Sequence, residues 1–253
     1  MPTPLLSARR NHDLSALITR RAVKEARRAR TAGRSVLGVV VAHQVTNART
    51  SDRAVGEMLA EQNIDVPPDA LLDSLSFTTD AQTFDAMTAD LATDYEFDRL
   101  VASLVQDAAA AAMSASVTTR ARIGWVRHLN TPSCSRCAVL AGRVYRYSDG
   151  FMRHPGDDCT TTPVREGDQT FVEDPAELMR RGLITGLSKD DQQAINDGAN
   201  FGQVVNVRRK ASGLVEAGHT LTRGGRPTPA GIYRLASDRE DALRLLAKFG
   251  YIT

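Results

Sequence analysis

All three cysteines of this 253-residue chain lie between positions 134 and 159. Together with one histidine they read C-x2-C, sixteen residues, then H-x4-C, that is Cys134, Cys137, His154 and Cys159. An odd count cannot close a full disulfide set, and clustering of this kind points to metal or redox chemistry. Zinc takes four tetrahedral nitrogen or sulfur ligands, and a C-x2-C turn lets two thiolates reach one ion at about 2.3 Å. Three sulfurs and an imidazole would saturate the metal, the pattern of a closed structural site rather than a catalytic one with an open position. A segment with few large apolar side chains gains little from burial, whereas zinc binding supplies folding free energy directly. Three other readings stay open. Cys134 and Cys137 form a redox pair, although no thioredoxin-like βαβ pattern surrounds them. The cysteines are buried small hydrophobes, although Thr131-Pro132-Ser133 and Gly156-Asp157-Asp158 are polar. Or the site is a metal-free remnant held by hydrogen bonds or a disulfide.

On either side of this segment the chain reads as helical. Aromatic residues make up 5% of it and alanine is abundant, which favours helices packed through small and aliphatic side chains. With 42% hydrophobic residues it is long enough for a sizeable core. A long helix is expected over 14–44, where Leu17, Ala22, Val23, Ala26 and Ala29 alternate with basic residues. Val66-Pro67-Pro68 breaks the pattern. Thr79 with Gln82, and Thr93 with Glu96, have capping-box spacing. From Phe97 through Leu100, Val101, Leu104, Val105, Ala108 and Ala112 to Ala115, apolar residues recur in steps of three and four, the stripe of a core helix. Beyond Thr131-Pro132, Arg143 to Tyr147 alternates like a short strand before the hairpin signal Ser148-Asp149-Gly150. Helix starts return at Asp174-Pro175, Ser188 with Asp191, Thr228-Pro229 and Ser237 with Glu240, and Gly250 ends the last. The expected architecture is mainly α: a helical region over 1–129, a Cys/His zinc-knuckle hairpin module over 130–170, and a short-helix C-terminal region over 171–253. There is no internal repeat.

Several classes of function find no support. The longest apolar run, Val36 to Ala42, is far short of the roughly 20 residues a membrane span needs. The N-terminus lacks the pattern of a secretory signal, so a cytosolic origin is expected. A zinc deaminase needs an upstream H-x-E or C-x-E, yet His12, His43 and His128 are followed two residues later by Leu14, Val45 and Asn130. There is no H-E-x-x-H, G-x-S-x-G or Walker A sequence. His43 and His219 read as ordinary structural residues, and Asp157 and Asp158 as a solvated loop. The net charge of +2 makes any electrostatic role local. Beside the tail clusters Arg208-Arg209-Lys210 and Arg223-Gly224-Gly225-Arg226, the main candidate is the first helix, where Arg20, Arg21, Lys24, Arg27 and Arg28 crowd together. They form a phosphate-contacting surface or a solvated face that docks on an acidic protein.

The second half resembles the MuF-like minor head (head morphogenesis) proteins of tailed phages, in the actinobacteriophage version. Gly124-Trp125-Val126-Arg127 with Cys134-Ser135-Arg136-Cys137-Ala138 carries the likeness. So do Phe151 to His154 with Cys159 and Pro163, the stretch Asp191 to Arg208, Ile232-Tyr233-Arg234, and Phe249-Gly250-Tyr251-Ile252. Family members often close the knuckle with C-x-C, whereas Cys159 is followed here by Thr160-Thr161. The resemblance implies a non-enzymatic virion component inside the capsid near the portal, assembled in the host cytoplasm. Portal protein and major capsid protein would be its partners, with packaged DNA a further contact. It would assist head assembly, with DNA packaging or ejection as a role left open. The alternative from the residues alone is a zinc-containing protein that binds or processes nucleic acid.

Overall fold

The structure, a computed structural model, describes residues 5–149, 159–207, 215–216, 219–220, 222–223 and 226–252. It is mainly helical and forms two compact units. One comprises residues 1–128 and 143–172, the other 129–142 and 173–253. The stretch read as one module, 130–170, is therefore shared between them.

In the first unit, three long helices lie side by side: α1 (Leu6–Thr31), α2 (Val36–Glu61) and α4 (Asp94–Thr118). The single helix expected over 14–44 is instead a hairpin of two. Gly33, in the left-handed region at φ 63°, ends α1 and reverses the chain, a conformation that costs a Cβ-bearing residue about 1 kcal/mol. Ser35 then caps α2 through the Gly38 amide. Contacts between α1 and α2 run antiparallel, from Ser7 with Glu61 and Arg10 with Glu57 to Glu25 with His43. Contacts between α2 and α4 run parallel, Gln44 with the Leu104 carbonyl and Asn47 with that of Val105.

Alanines Ala22 and Ala26 let α1 approach Val40, Phe97, Val101 and Val105 closely, and all of these are buried. Threaded through this apolar seam is a set of buried amides and hydroxyls. Asn47 donates to Ser15 Oγ at 3.0 Å and to the Val105 carbonyl at 3.0 Å, and Gln44 donates to Thr79 Oγ1 at 2.9 Å. Such bonds fix the register of the helices, because a slip would leave buried polar groups unpaired at about 1–3 kcal/mol each. α4 is the one described helix long and apolar enough to cross a membrane by length and composition. In the structure its apolar stripe faces α1 and α2.

The helix starts follow the expected chemistry with two shifts. Thr93 and Glu96 form the capping box of α4. The short helix α3 (Ala81–Thr88), however, is capped by Asp80 rather than Thr79, whose amide and hydroxyl are taken by Gln44. α1 has no cap of its own, and the Glu61 carboxylate accepts from the Leu6 and Ser7 amides at 2.8 and 2.9 Å.

The first unit also holds a three-stranded antiparallel sheet, order β3-β1-β4, from β1 (Ile123–His128), β3 (Val144–Tyr145) and β4 (Thr160–Arg165). The strand signal at 143–147 is thus real, but it pairs with β1. Every residue of β1 is buried. Trp125 stacks on Tyr145 with centroids 4.1 Å apart, Arg143 covers the other ring at 4.4 Å, and the indole N–H donates to the Asp149 carbonyl. Gly124 is required here, since a Cβ would lie 2.4 Å from the Tyr145 carbonyl oxygen.

In the second unit, β2 (Ser133–Cys134) pairs in parallel with β5 (Ile184–Thr185). Around them lie six short helices: α5 (Ser135–Ala141), α6 (Pro175–Arg180), α7 (Lys189–Asn196), α8 (Phe201–Val207), α9 (Pro229–Leu235) and α10 (Arg239–Lys248). Asp174, Ser188 and Thr228 cap α6, α7 and α9 as their positions in the sequence suggest. For α10 the cap is Asp238, one residue after the expected Ser237.

Candidate functional site

Cys134 ends β2 and is the N-cap of α5. Its Sγ accepts the Cys137 amide at 3.4 Å, so the C-x2-C pair occupies one helical turn. Cys137 is buried and Cys134 half-buried, and no disulfide joins Cys134, Cys137 and Cys159. Two thiols on one turn suit a shared metal ion. They also suit disulfide chemistry.

Cys159 belongs to the first unit, just ahead of β4. It is 6% exposed and lines a cleft of about 280 Å³ with Asn11, His12, Ser15, Gln106 and Met113. His154, with Phe151 to Asp158, lies outside the described residues. Among the described residues no group of three or more His, Cys, Asp or Glu side chains is arranged to hold a metal ion. The described geometry therefore lends no support to the closed zinc knuckle. Of the four expected ligands, Cys134 and Cys137 are brought together. Sequence spacing conveys ligand type and loop length, but here the two sides of the Cys/His segment are parts of different folding units.

The basic helix divides in two. Arg27 forms a two-point ion pair with Asp98 on α4, and the hydrogen bonds it donates to that carboxylate push the guanidinium pKa further up. This ion pair fastens α1 to α4. Arg20, Arg21, Lys24 and Arg28 are exposed, and none has an ion-pair partner among the described residues.

Other polar groups escaped the sequence reading. Asn11 is 4% exposed, yet among the described residues its amide reaches only Met113 Sδ at 3.5 Å and its oxygen accepts only from Ser51 Oγ at 3.5 Å. The available signal was polar residues at core spacing on α2, namely Gln44, Asn47 and Ser51. His128, at the end of β1, is buried, and burial pulls its pKa down, with His12 and Arg9 adding to the effect. Glu173 is 3% exposed, and burial pushes its pKa up against the opposing pull of the Leu129 backbone and Arg181. Nothing in the sequence separates these two from surface residues of the same type.

The C-terminal helices close on a polar cluster. Tyr233 donates to Asp197 at 2.8 Å and Arg239 pairs with the same carboxylate at 2.9 Å. Tyr251 is fully buried, donates to the Pro227 carbonyl at 2.7 Å and lies under Arg226 at 3.9 Å. Its pKa is pushed up to about 12 by burial. His43, as expected of a structural residue, has Nδ1 2.9 Å from the Val39 carbonyl.

No family model, curated protein or solved structure matches this chain.

Proposed function

We propose that the chain is a MuF-like minor head protein of a tailed phage. On this reading it is a structural, non-enzymatic component of the capsid interior near the portal that assists head assembly. One observation carries the reading. The resembling stretches Asp191 to Arg208, Ile232 to Arg234 and Phe249 to Ile252 are separated by up to some 25 residues, yet they pack on one another. Tyr233 reaches Asp197, and the Asn200 amide donates to the Tyr251 carbonyl at 2.7 Å. The N-terminal helices are the part proposed to meet the portal protein or the major capsid protein.

The test is co-sedimentation with heads purified from the phage. The chain is expected in portal-containing particles at low copy number, and recovery only as free protein would sink the proposal. For the metal we propose the ligands read from spacing, Cys134, Cys137, His154 and Cys159, acting as a structural clamp without chemistry of its own. Metal analysis should find one zinc per chain, lost in Cys134→Ser. A metal-free wild type would remove the clamp and leave the assembly proposal standing.

A second reading, nucleic-acid binding, is favoured by the four exposed cations on α1 that have no ion-pair partner among the described residues. It predicts retention on duplex DNA that falls steeply with salt, by about one counterion per phosphate contacted.

A further inference from the structure

The outward face of α1 is ordered along the helix axis. Opposite the buried alanines, Leu14, Leu17, Arg21, Lys24 and Arg28 follow one another in steps of three, four, three and four. This is the spacing of a coiled-coil seam, and the five positions span about 21 Å, two heptads. The first two are apolar and exposed, Leu14 at 38% and Leu17 at 37%, with Leu6 at 74% one turn before Arg10 on the same side. The last three are basic. Within them Lys24 meets Arg21 at i,i−3 and Arg28 at i,i+4, like-charge spacings that are unfavourable on a helix left alone in water. Burying leucines and neutralising those cations would both be favourable on docking.

We infer that this face is the docking site for an acidic amphipathic helix of a partner protein. Leucine-like side chains of that helix would sit on Leu14 and Leu17, and carboxylates opposite Arg21, Lys24 and Arg28. Two other classes of surface fit less well. A phosphate backbone offers Leu14 and Leu17 nothing apolar. A bilayer surface favours helices whose cations ring the apolar face, whereas these cations continue along the same seam and would point into the acyl region. Helix-on-helix docking takes both halves, with a knob-into-hole seam at one end and charge pairing at the other.

The inference rests on the assembly reading for the existence of a partner. The test mixes the full chain with the portal protein, and separately with the major capsid protein, of the same phage, at low and at high salt. The wild type is expected to bind one of them, more weakly as salt rises. L14D/L17D is expected to weaken binding at least about tenfold while keeping the salt dependence. R21E/K24E/R28E is expected to weaken it comparably and abolish that dependence. All five positions are solvent-facing, and unchanged thermal melts verify that the variants fold. If the wild type binds and both variants bind as tightly, the docking face is wrong while the assembly reading survives. If the wild type binds neither protein, both fall. If duplex DNA or anionic vesicles bind instead, with R21E/K24E/R28E impaired and L14D/L17D unaffected, the face contacts phosphate and the helix partner is excluded.

Discussion

The two units stabilise their helices with different shares of burial and local capping. In the first, α1, α2 and α4 run 25 or 26 residues each and bury continuous stripes against one another. Long helices amortise the cost of nucleation, so tertiary contact can substitute for a local cap, as Glu61 does for α1. In the second, helices of six to ten residues are too short to persist by propagation. All six are capped locally, by Cys134, Asp174, Ser188, Asn200, Thr228 and Asp238. Proline starts α6 and α9. Where burial is scarce, end effects of about 1 kcal/mol each carry a larger share of the stability.

The sharpest way to break this contrast is Trp125→Ala. It removes the largest fully buried side chain of the first unit and its stack on Tyr145, and should cost about 3–5 kcal/mol. Thermal unfolding followed by near-ultraviolet circular dichroism should show a large loss. A change below about 1 kcal/mol would mean that burial does not govern this unit.

A smaller effect separates local from borrowed caps. Ser188→Ala removes half of the α7 capping box and should cost about 1 kcal/mol at any pH near neutral. Glu61→Gln should cost a similar amount near neutrality, with a pH signature. Burial pushes the Glu61 carboxyl up, but bonds from Ser7 and Leu6 outweigh it, so the folded pKa lies below the ordinary 4.5. Its contribution is present above that value and is lost as pH falls through the folded pKa. Urea melts of wild type and Glu61→Gln should therefore converge in acid, and a constant gap would show that charge plays no part.

The smallest effect is His128. Its folded pKa lies below the ordinary 6.5, so the unfolded chain takes up the proton first. Stability is full above about pH 6.5 and declines as pH falls from there toward the folded pKa. His128→Gln should flatten that part of the profile, and a slope unchanged by the substitution would assign the decline to other groups.

How much was legible in advance follows the same division. The core stripe of α4 and its capping box were readable from Phe97 to Ala115 and from Thr93 with Glu96, because periodicity and cap chemistry are local. The break at Gly33 was missed, since the basic and apolar pattern continues in phase across it. Of the candidate site, the C-x2-C turn was readable. The position of Cys159 beside α1 and α4 was not, because it depends on which unit each part of the segment joins.

The amino-acid sequence alone determined the mainly helical class, most helix starts, the paired thiols of Cys134 and Cys137, and the basic character of α1. These depend on interactions within a turn or two, where identity and spacing suffice. Only the tertiary structure decided that Arg27 is spent on Asp98 while its neighbours stay open, that β1 lies wholly buried between β3 and β4, and that Cys159 joins the long helices. Those outcomes are set by contacts between residues tens of positions apart, where burial and charge pairing select among options that the local pattern leaves equal.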